Sequence, residues 1–438
     1  MLDIKFIREN PEKVKKVCEA KRVKIDIDRL LVLDKTRREI IQATEGIASE
    51  KNKASKTIGD KNTPAGEREK IIFDMKALDK KSDTLNLELK VIEDNFYGLM
   101  IQVPNIFSSD VPIGKDENEN KVLKRVGDIP KFDFKPKDHL ELGQNLEIIN
   151  TEKASKISGA RFGYLMGKSA LIEFALIKYA FDVLTDAKII KKIADSIEKG
   201  YCPKPFIPVI PPVMIRPEVF KKMARLSEED KEERYYFPKD DVYLIGSAEH
   251  TLGPLHMDEI LEEKNLPLRY AGFSTCFRRE AGSYGKDTKG ILRVHQFDKI
   301  EMESFSVAEN SLKEQEFFVA IQEYLVKSLG IPYQVVLICT GDMGKPDERQ
   351  FDIECWMPGQ NRYRETHTAD LMTNYQARRL NTKVKRSGNR TEFVHMNDAT
   401  VLAMGRILIA IIENYQQKDG SVKVPKILKK YTGFDVVK

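Results

Sequence analysis

Between Phe277 and Glu301 the chain places Arg278, Arg279 and Glu280 before a glycine-spaced loop, AGSYGKDTKGIL, and Arg293 after it. The flanking segments alternate charged and aromatic residues, and Gly282, Gly285 and Gly290 punctuate the loop, so the stretch is predicted to be a long antiparallel hairpin. Such a hairpin gathers guanidinium groups on one face. That arrangement suits a polyanion whose charge builds up during reaction, and a phosphate is the expected ligand. For any single Arg–Glu pair, a charged surface hairpin with a flexible tip is the alternative.

The elements that must carry this hairpin follow from periodicity. The 438 residues, 41% of them apolar, suffice for two or three domains with a substantial core. From Arg29 to Ile58, Leu33, Ile40, Ile47 and Ala54 recur seven apart, with Ile41 and Ala48 widening the stripe. After a turn over Gly59 to Gly66, the return segment steps by four and three through Ile71, Met75, Leu78, Ser82, Leu85, Leu89, Ile92, Phe96 and Leu99. Two antiparallel helices are expected to zip into an arm of about 45 to 50 Å. A partner or dimerisation coiled coil is the alternative for this segment; Lys51, Lys53, Lys56 and Lys61 near its tip are the one hint of phosphate contact. A linker follows over 111–130, where DVPIGKDENENK is charged and punctuated. The remainder, 131–438, reads as helices over 168–198, 256–264, 308–329 and 401–416, with strands at 242–246, 270–280, 294–305, 334–340, 350–357 and 392–397. Strands in series with few long crossovers give an α+β fold, an antiparallel sheet flanked by helices.

Several classes fall away. With 73 basic and 68 acidic residues the formal charge is only +5, so nucleic-acid contact must come from local patches. Five cysteines without a Cys-x-x-Cys pair, and six histidines without ligand spacing, give no expectation of zinc or disulfides. Charged residues near the N-terminus leave no signal-peptide core, no membrane span is expected, and a cytoplasmic protein is the reading. No phosphate-binding Gly-x-x-x-x-Gly-Lys-Ser/Thr loop is present.

The joint spacing Phe-Arg-x-Glu, then Arg-x-x-x-Phe-x-x-x-Glu, matches the second signature motif of class II aminoacyl-tRNA synthetases. Nearly the whole chain resembles the bacterial-type seryl-tRNA synthetase family. The landmarks run in order: MLDIKFIRENPEKV, the arm, Val103-Pro-Asn, Gly159-Ala-Arg-Phe-Gly-Tyr-Leu, Gln376-Ala-Arg-Arg, Ala403-Met-Gly-Arg406 and Glu413-Asn-Tyr-Gln. FIPVIPPVMIRP stands where that family builds its dimer interface.

The resemblance implies activation of L-serine by ATP with Mg²⁺, transfer to tRNA(Ser) bound by the arm of residues 1–110, and a homodimer; charging of tRNA(Sec) is left open. It implies a serine pocket of Ser247, Ala248, Glu249, Glu301 and Thr400, with Arg278 bridging the amino-acid carboxylate and the α-phosphate. ATP would also meet Arg279, Glu280, Val294, Glu365, Thr366, His367, Thr368 and Arg406, the last holding the γ-phosphate, and Glu365 and Thr368 would ligate magnesium. Arg278 and Arg406 would be the catalytic pair. Taken singly, Glu249 and Glu301 also fit ion-paired strand carboxylates, Thr400 an N-cap and Arg406 a snorkelling arginine. The chain departs from the family at Glu365-Thr366-His367-Thr368, where Glu-Ile-Ser-Ser is usual, and at Asp398-Ala399-Thr400-Val401, where Asn-Gly-Ser-Gly is usual. The family's Gly-Thr-Gly-Gln-Leu-Pro run is replaced by LSEEDKEERYYFP. A carrier-protein-loading relative and a catalytically inactive RNA-binding paralogue are the other readings.

Overall fold

The computed structural model describes residues 1–281 and 289–438, so Gly282 and Gly285 of the expected loop lie outside the described residues. Two compact units divide between Pro104 and Asn105. In the first, Ile27–Gly59 (α1) and Ala65–Met100 (α2) run antiparallel. Asp26 caps α1 by accepting from the Arg29 N–H, and Pro64 stands just ahead of α2. On α2 every position of the expected seam, from Ile71 to Leu99, is partly shielded while most intervening residues are exposed. Ile40 and Ile47 of α1 are buried, whereas Ala48, expected to widen the stripe, is exposed, so this face is narrower than expected. Arg37 pairs with Glu93 at 3.0 Å and Lys51 with Asp79, tying the two helices together across the seam.

The second unit is built on an eight-stranded sheet: Lys121–Val126 (β1), Ile207–Val209 (β2), Leu268–Phe277 (β3), Gln296–Ser306 (β4), Tyr333–Leu337 (β5), Arg349–Met357 (β6), Arg362–Thr373 (β7) and His395–Ala403 (β8). The spatial order is β1-β5-β6-β7-β8-β4-β3-β2, antiparallel throughout except for the β2–β3 pair. Helices Lys168–Thr185 (α3), Ala187–Ile197 (α4), Ser311–Leu329 (α5) and Met404–Asn414 (α6) supply side chains to the core cluster. Alternation along each strand sorts the two faces. Ile300 and Met302 of β4, Ala399 and Val401 of β8, Ala369 of β7 and Ile353 of β6 enter that core. The residues between them, Glu301, Glu303, Asp398, Thr400, Thr368, Asp370 and Asp352, therefore face the other way.

Four expectations are corrected. The segment read as a linker supplies β1, whose Lys121 to Val126 pair with Leu337 to Tyr333. Residues 256–264 hold a strand, Ile260–Glu262, instead of a helix, because it pairs with Lys383–Lys385 and buries Leu261. The last helix begins at Met404 instead of Val401, since Thr400 to Ala403 are held in the ladder with β4; Thr400 is thus a strand residue and no N-cap. Strand β7 was not anticipated: RYRETHTADLMT carries polar residues on the face away from the core, which erases the apolar alternation that marks a half-buried strand.

Candidate active site

The expected hairpin is present: β3 and β4 pair in register from Leu268 with Phe305 to Phe277 with Gln296. Just past the end of β3, Arg278 is held by its own N–H to the His295 carbonyl at 3.0 Å and by Nε donating to the Gly246 carbonyl at 3.1 Å. Its guanidinium lies 5.4 Å from the Phe297 ring centroid. Glu280, with φ +52°, turns the chain and accepts from Arg293 at 3.1 Å. Glycine is required at Gly290: φ is +74°, and a β-carbon there would fall 2.0 Å from His139 Nε2.

Arg278 and Arg406 line one cavity of about 660 Å³, shared with Glu249, Thr400, Glu365 and Asp352. Arg406, on the first turn of α6, donates to both the carbonyl and the carboxylate of Glu365, each at 3.0 Å. Glu365 draws the Arg406 pKa up, and Arg406 in turn outweighs burial to keep the Glu365 pKa below the usual range. Glu280, Val294, Thr366 and Thr368 also line the cavity.

Behind that wall, Glu301 collects three donors. The Ser247 hydroxyl donates at 2.8 Å, the Thr400 hydroxyl at 3.3 Å, and the Lys299 ammonium forms an ion pair with the same oxygen. Ser247, Ala248 and Glu301 are buried at 1%, 0% and 1% exposure and stand behind the lining residues. Glu249 lines the cavity and meets Arg225 at 2.9 Å; burial opposes its charge, but Arg225 and then His250 hold its pKa well below the usual carboxylate range.

Two expected residues lie elsewhere. Arg279 does not line the cavity; its guanidinium is 5.8 Å from the Tyr235 ring centroid. His367 also does not line it. A bulge at Thr366 makes His367 the register partner of Ile353, on the core side, where its Nδ1 meets the Thr366 hydroxyl at 2.7 Å and burial lowers its pKa to about 3.

The sequence reading missed Arg225, Arg234, Asp347, Asp352 and Asp370, all lining residues. Strand period was the available signal, since Asp370 and Asp398 each stand two residues from a hydroxyl already singled out. The departing segment LSEEDKEERYYFP is also part of the site: Ser227 and Asp230 form a capping box on Glu228–Glu232, and Asp230, Glu233 and Arg234 line the cavity.

An antiparallel sheet carrying one arginine just past the end of β3 and another on α6, the helix after β8, around a common cavity, defines a class II aminoacyl-tRNA synthetase core. Residues 234–415 match the tRNA synthetase class II core domain (G, H, P, S and T), and residues 1–107 match the seryl-tRNA synthetase N-terminal domain. The serine–tRNA ligase of Thermodesulfovibrio yellowstonii is 39% identical over the whole of both chains, and that of Dictyoglomus thermophilum 40% over 100% of this chain and 99% of its own. The crystal structure of seryl-tRNA synthetase from Pyrococcus horikoshii complexed with ATP superposes with a TM-score of 0.89 at 37% identity, covering 100% and 99% of the two chains. This chain belongs to the seryl-tRNA synthetase family. Among the described residues no helix is long and apolar enough to cross a membrane.

Proposed function

We propose that this protein activates L-serine with ATP to seryl-adenylate and transfers the seryl group to the 3′ end of tRNA(Ser). The observation that carries this is the shared cavity of Arg278, Arg406, Glu249 and Thr400, with Glu301 bonded to Ser247 and Thr400 directly behind it. A serine carboxylate is already a nucleophile at neutral pH. The first step therefore needs alignment against the α-phosphate and compensation of charge on the departing pyrophosphate, and no general base. Arg278 serves the α-phosphate and substrate carboxylate, Arg406 the γ-phosphate. Arg278 stands on the main-chain carbonyl of Gly246 and is pre-positioned by that bond.

Magnesium fits the donors present. Asp352 and Thr368 are register partners, and both line the cavity beside Glu365, giving hard oxygen ligands of the kind that Mg²⁺ uses together with nucleotide phosphates and water. Burial, then the neighbouring Glu365, raises the Asp352 pKa well above its usual value, a cost that a cation would relieve. The ion would neutralise phosphate charge. The first unit, Met1–Pro104 with α1 and α2, acts as the tRNA-binding arm, and the second, Asn105–Lys438, which includes β1, acts as the catalytic domain of a cytoplasmic homodimer.

Serine-dependent ATP–pyrophosphate exchange on the purified protein, followed by charging of total tRNA, tests this reading. Exchange and charging with serine are expected. Exchange without charging, but with loading of a carrier protein, would replace the reading with that of a carrier-loading enzyme, and absence of both would leave an RNA-binding paralogue.

A further inference from the structure

Beside the hydroxyl-bonded row of Glu301 and Thr400 lies a second row, two residues further along each strand. Glu303 of β4 pairs with Asp398 of β8, and Asp398 pairs with Asp370 of β7, so three carboxylates stand side by side across adjacent strands. Glu249 and Asp347 approach from outside the sheet. Arg225 reaches four of these carboxylates, at 2.9 Å from Glu249, 3.5 Å from Asp398, 3.6 Å from Asp370 and 3.9 Å from Asp347. Lys299 is paired with Glu301. In the three-strand row, acidic groups therefore outnumber the one cation, among the described residues, that pairs with them.

An independent observation shows that the surplus is unmet. Glu303 is 0% exposed, and neither of its carboxyl oxygens has a hydrogen-bond partner; Asp398, at 1%, leaves Oδ1 without one. Buried polar atoms of a folded chain are nearly always bonded, so orphans of this kind, standing in the row behind Asp370 of the cavity lining, mark a place for donors that the chain does not supply. Burial, then Asp398, raises the Glu303 pKa well above its usual value, and burial, then Glu249, does the same for Asp398.

The missing donors are those of an ammonium. Among the described residues no three acidic, histidine or cysteine groups come together in a geometry that would hold a metal ion. A serine hydroxyl brings one donor and no charge, and its partners Thr400, Ser247 and Glu301 are already in place in the first row. We propose that the amino-acid pocket admits a short diamino acid, such as 2,3-diaminopropionate or 2,4-diaminobutyrate, whose side-chain ammonium is taken by the Glu303–Asp398–Asp370 row. The inference rests on the synthetase reading above. The chemistry at the carboxylate is unchanged: its oxygen bonds to the α-phosphorus of ATP as the bond to the bridging oxygen breaks and pyrophosphate leaves, while the side-chain ammonium keeps its proton.

The test is ATP–pyrophosphate exchange by the full-length protein with L-serine, L-alanine, L-2,3-diaminopropionate and L-2,4-diaminobutyrate. At least one diamino acid is expected to exceed alanine in kcat/KM by tenfold or more. Glu303→Gln and, separately, Asp398→Asn should each lower the ratio of that kcat/KM to serine's by tenfold, with thermal melting reporting that each variant is folded. Exchange with serine while both diamino acids stay at the alanine level overturns this proposal alone. Exchange with none of the four overturns it together with the synthetase reading.

Discussion

Arg406 grips Glu365 twice, through the main-chain carbonyl and through the carboxylate, at 3.0 Å in each case. A guanidinium held by two acceptors on a neighbouring strand has little freedom left, so its remaining N–H groups are aimed before any nucleotide arrives. Pre-aimed donors are worth about 10² to 10³ in kcat where charge develops. Arg406→Ala and Arg278→Ala are each expected to lose that much in serine-dependent exchange, with little change in melting temperature. Arg406→Lys should recover only part, because an ammonium cannot hold Glu365 and a phosphate in one plane. Wild-type exchange by Arg278→Ala would remove it from the reaction.

Serine should be separated from alanine by its hydroxyl. A site built to bond a substrate hydroxyl can reject an analogue lacking it by up to roughly 10⁴ to 10⁵. Loss of the Thr400 hydroxyl leaves Glu301 with Ser247 and Lys299, so Thr400→Val should narrow the ratio of kcat/KM for serine and alanine about tenfold, the worth of one buried hydrogen bond. Equal kcat/KM for the two amino acids in the wild type would defeat this assignment.

The arm is expected to matter for tRNA alone. Replacing Thr44 to Asn86 by a short glycine turn removes about half of α1 and more than half of α2 but leaves Ile27, Leu30 and Met100 in the small core of the first unit. Serine-dependent exchange should persist and tRNA charging should fall below detection. Charging at the full rate by the shortened protein would show that the RNA is held elsewhere. Sedimentation of the intact protein should give twice the chain mass.

Glu173, on α3 and 8% exposed, supplies a pH signature. Burial, then the nearby Asp298, raises its pKa to about 8, so the folded protein holds a proton that the unfolded chain releases near pH 4.5. The sign follows: stability is fully present below pH 4.5 and declines as pH rises through 8. A shift of this size corresponds to a few kcal/mol at most, about 1.4 kcal/mol for each pH unit. Glu173→Gln, which cannot ionise, should melt higher than the wild type at pH 8.5 and approach it at pH 5. Parallel melting curves across that range would contradict the assignment.

What the sequence made legible was whatever a period or a fixed spacing encodes. The arm could be read because Ile71 to Leu99 hold one phase for eight steps, and the hairpin because charge and aromatic residues alternate on both sides of its glycines. Strand β7 could not be read. Its cavity-side face carries Glu365, Thr368 and Asp370, so its polarity resembles a loop, and only pairing with β6 and β8 reveals it. The bulge at Thr366 moved His367 to the core side, and no propensity marks an inserted residue. Arg225 escaped notice because it is one cation in a charged run, and its meaning depends on Asp398 and Asp370, each far away in the chain.

The strict alternation of β4 makes it the part of the molecule least able to change length. Inserting one residue before Ile300 would trade Glu301 and Glu303 for Ile300 and Met302, sending carboxylates among hydrocarbon and stripping the cavity wall at once. In the coiled-coil arm, by contrast, a whole heptad taken from α1 and its counterpart from α2 leaves the seam in phase. Evolution could therefore lengthen or shorten the reach of this protein freely while its β4 reading frame stayed fixed.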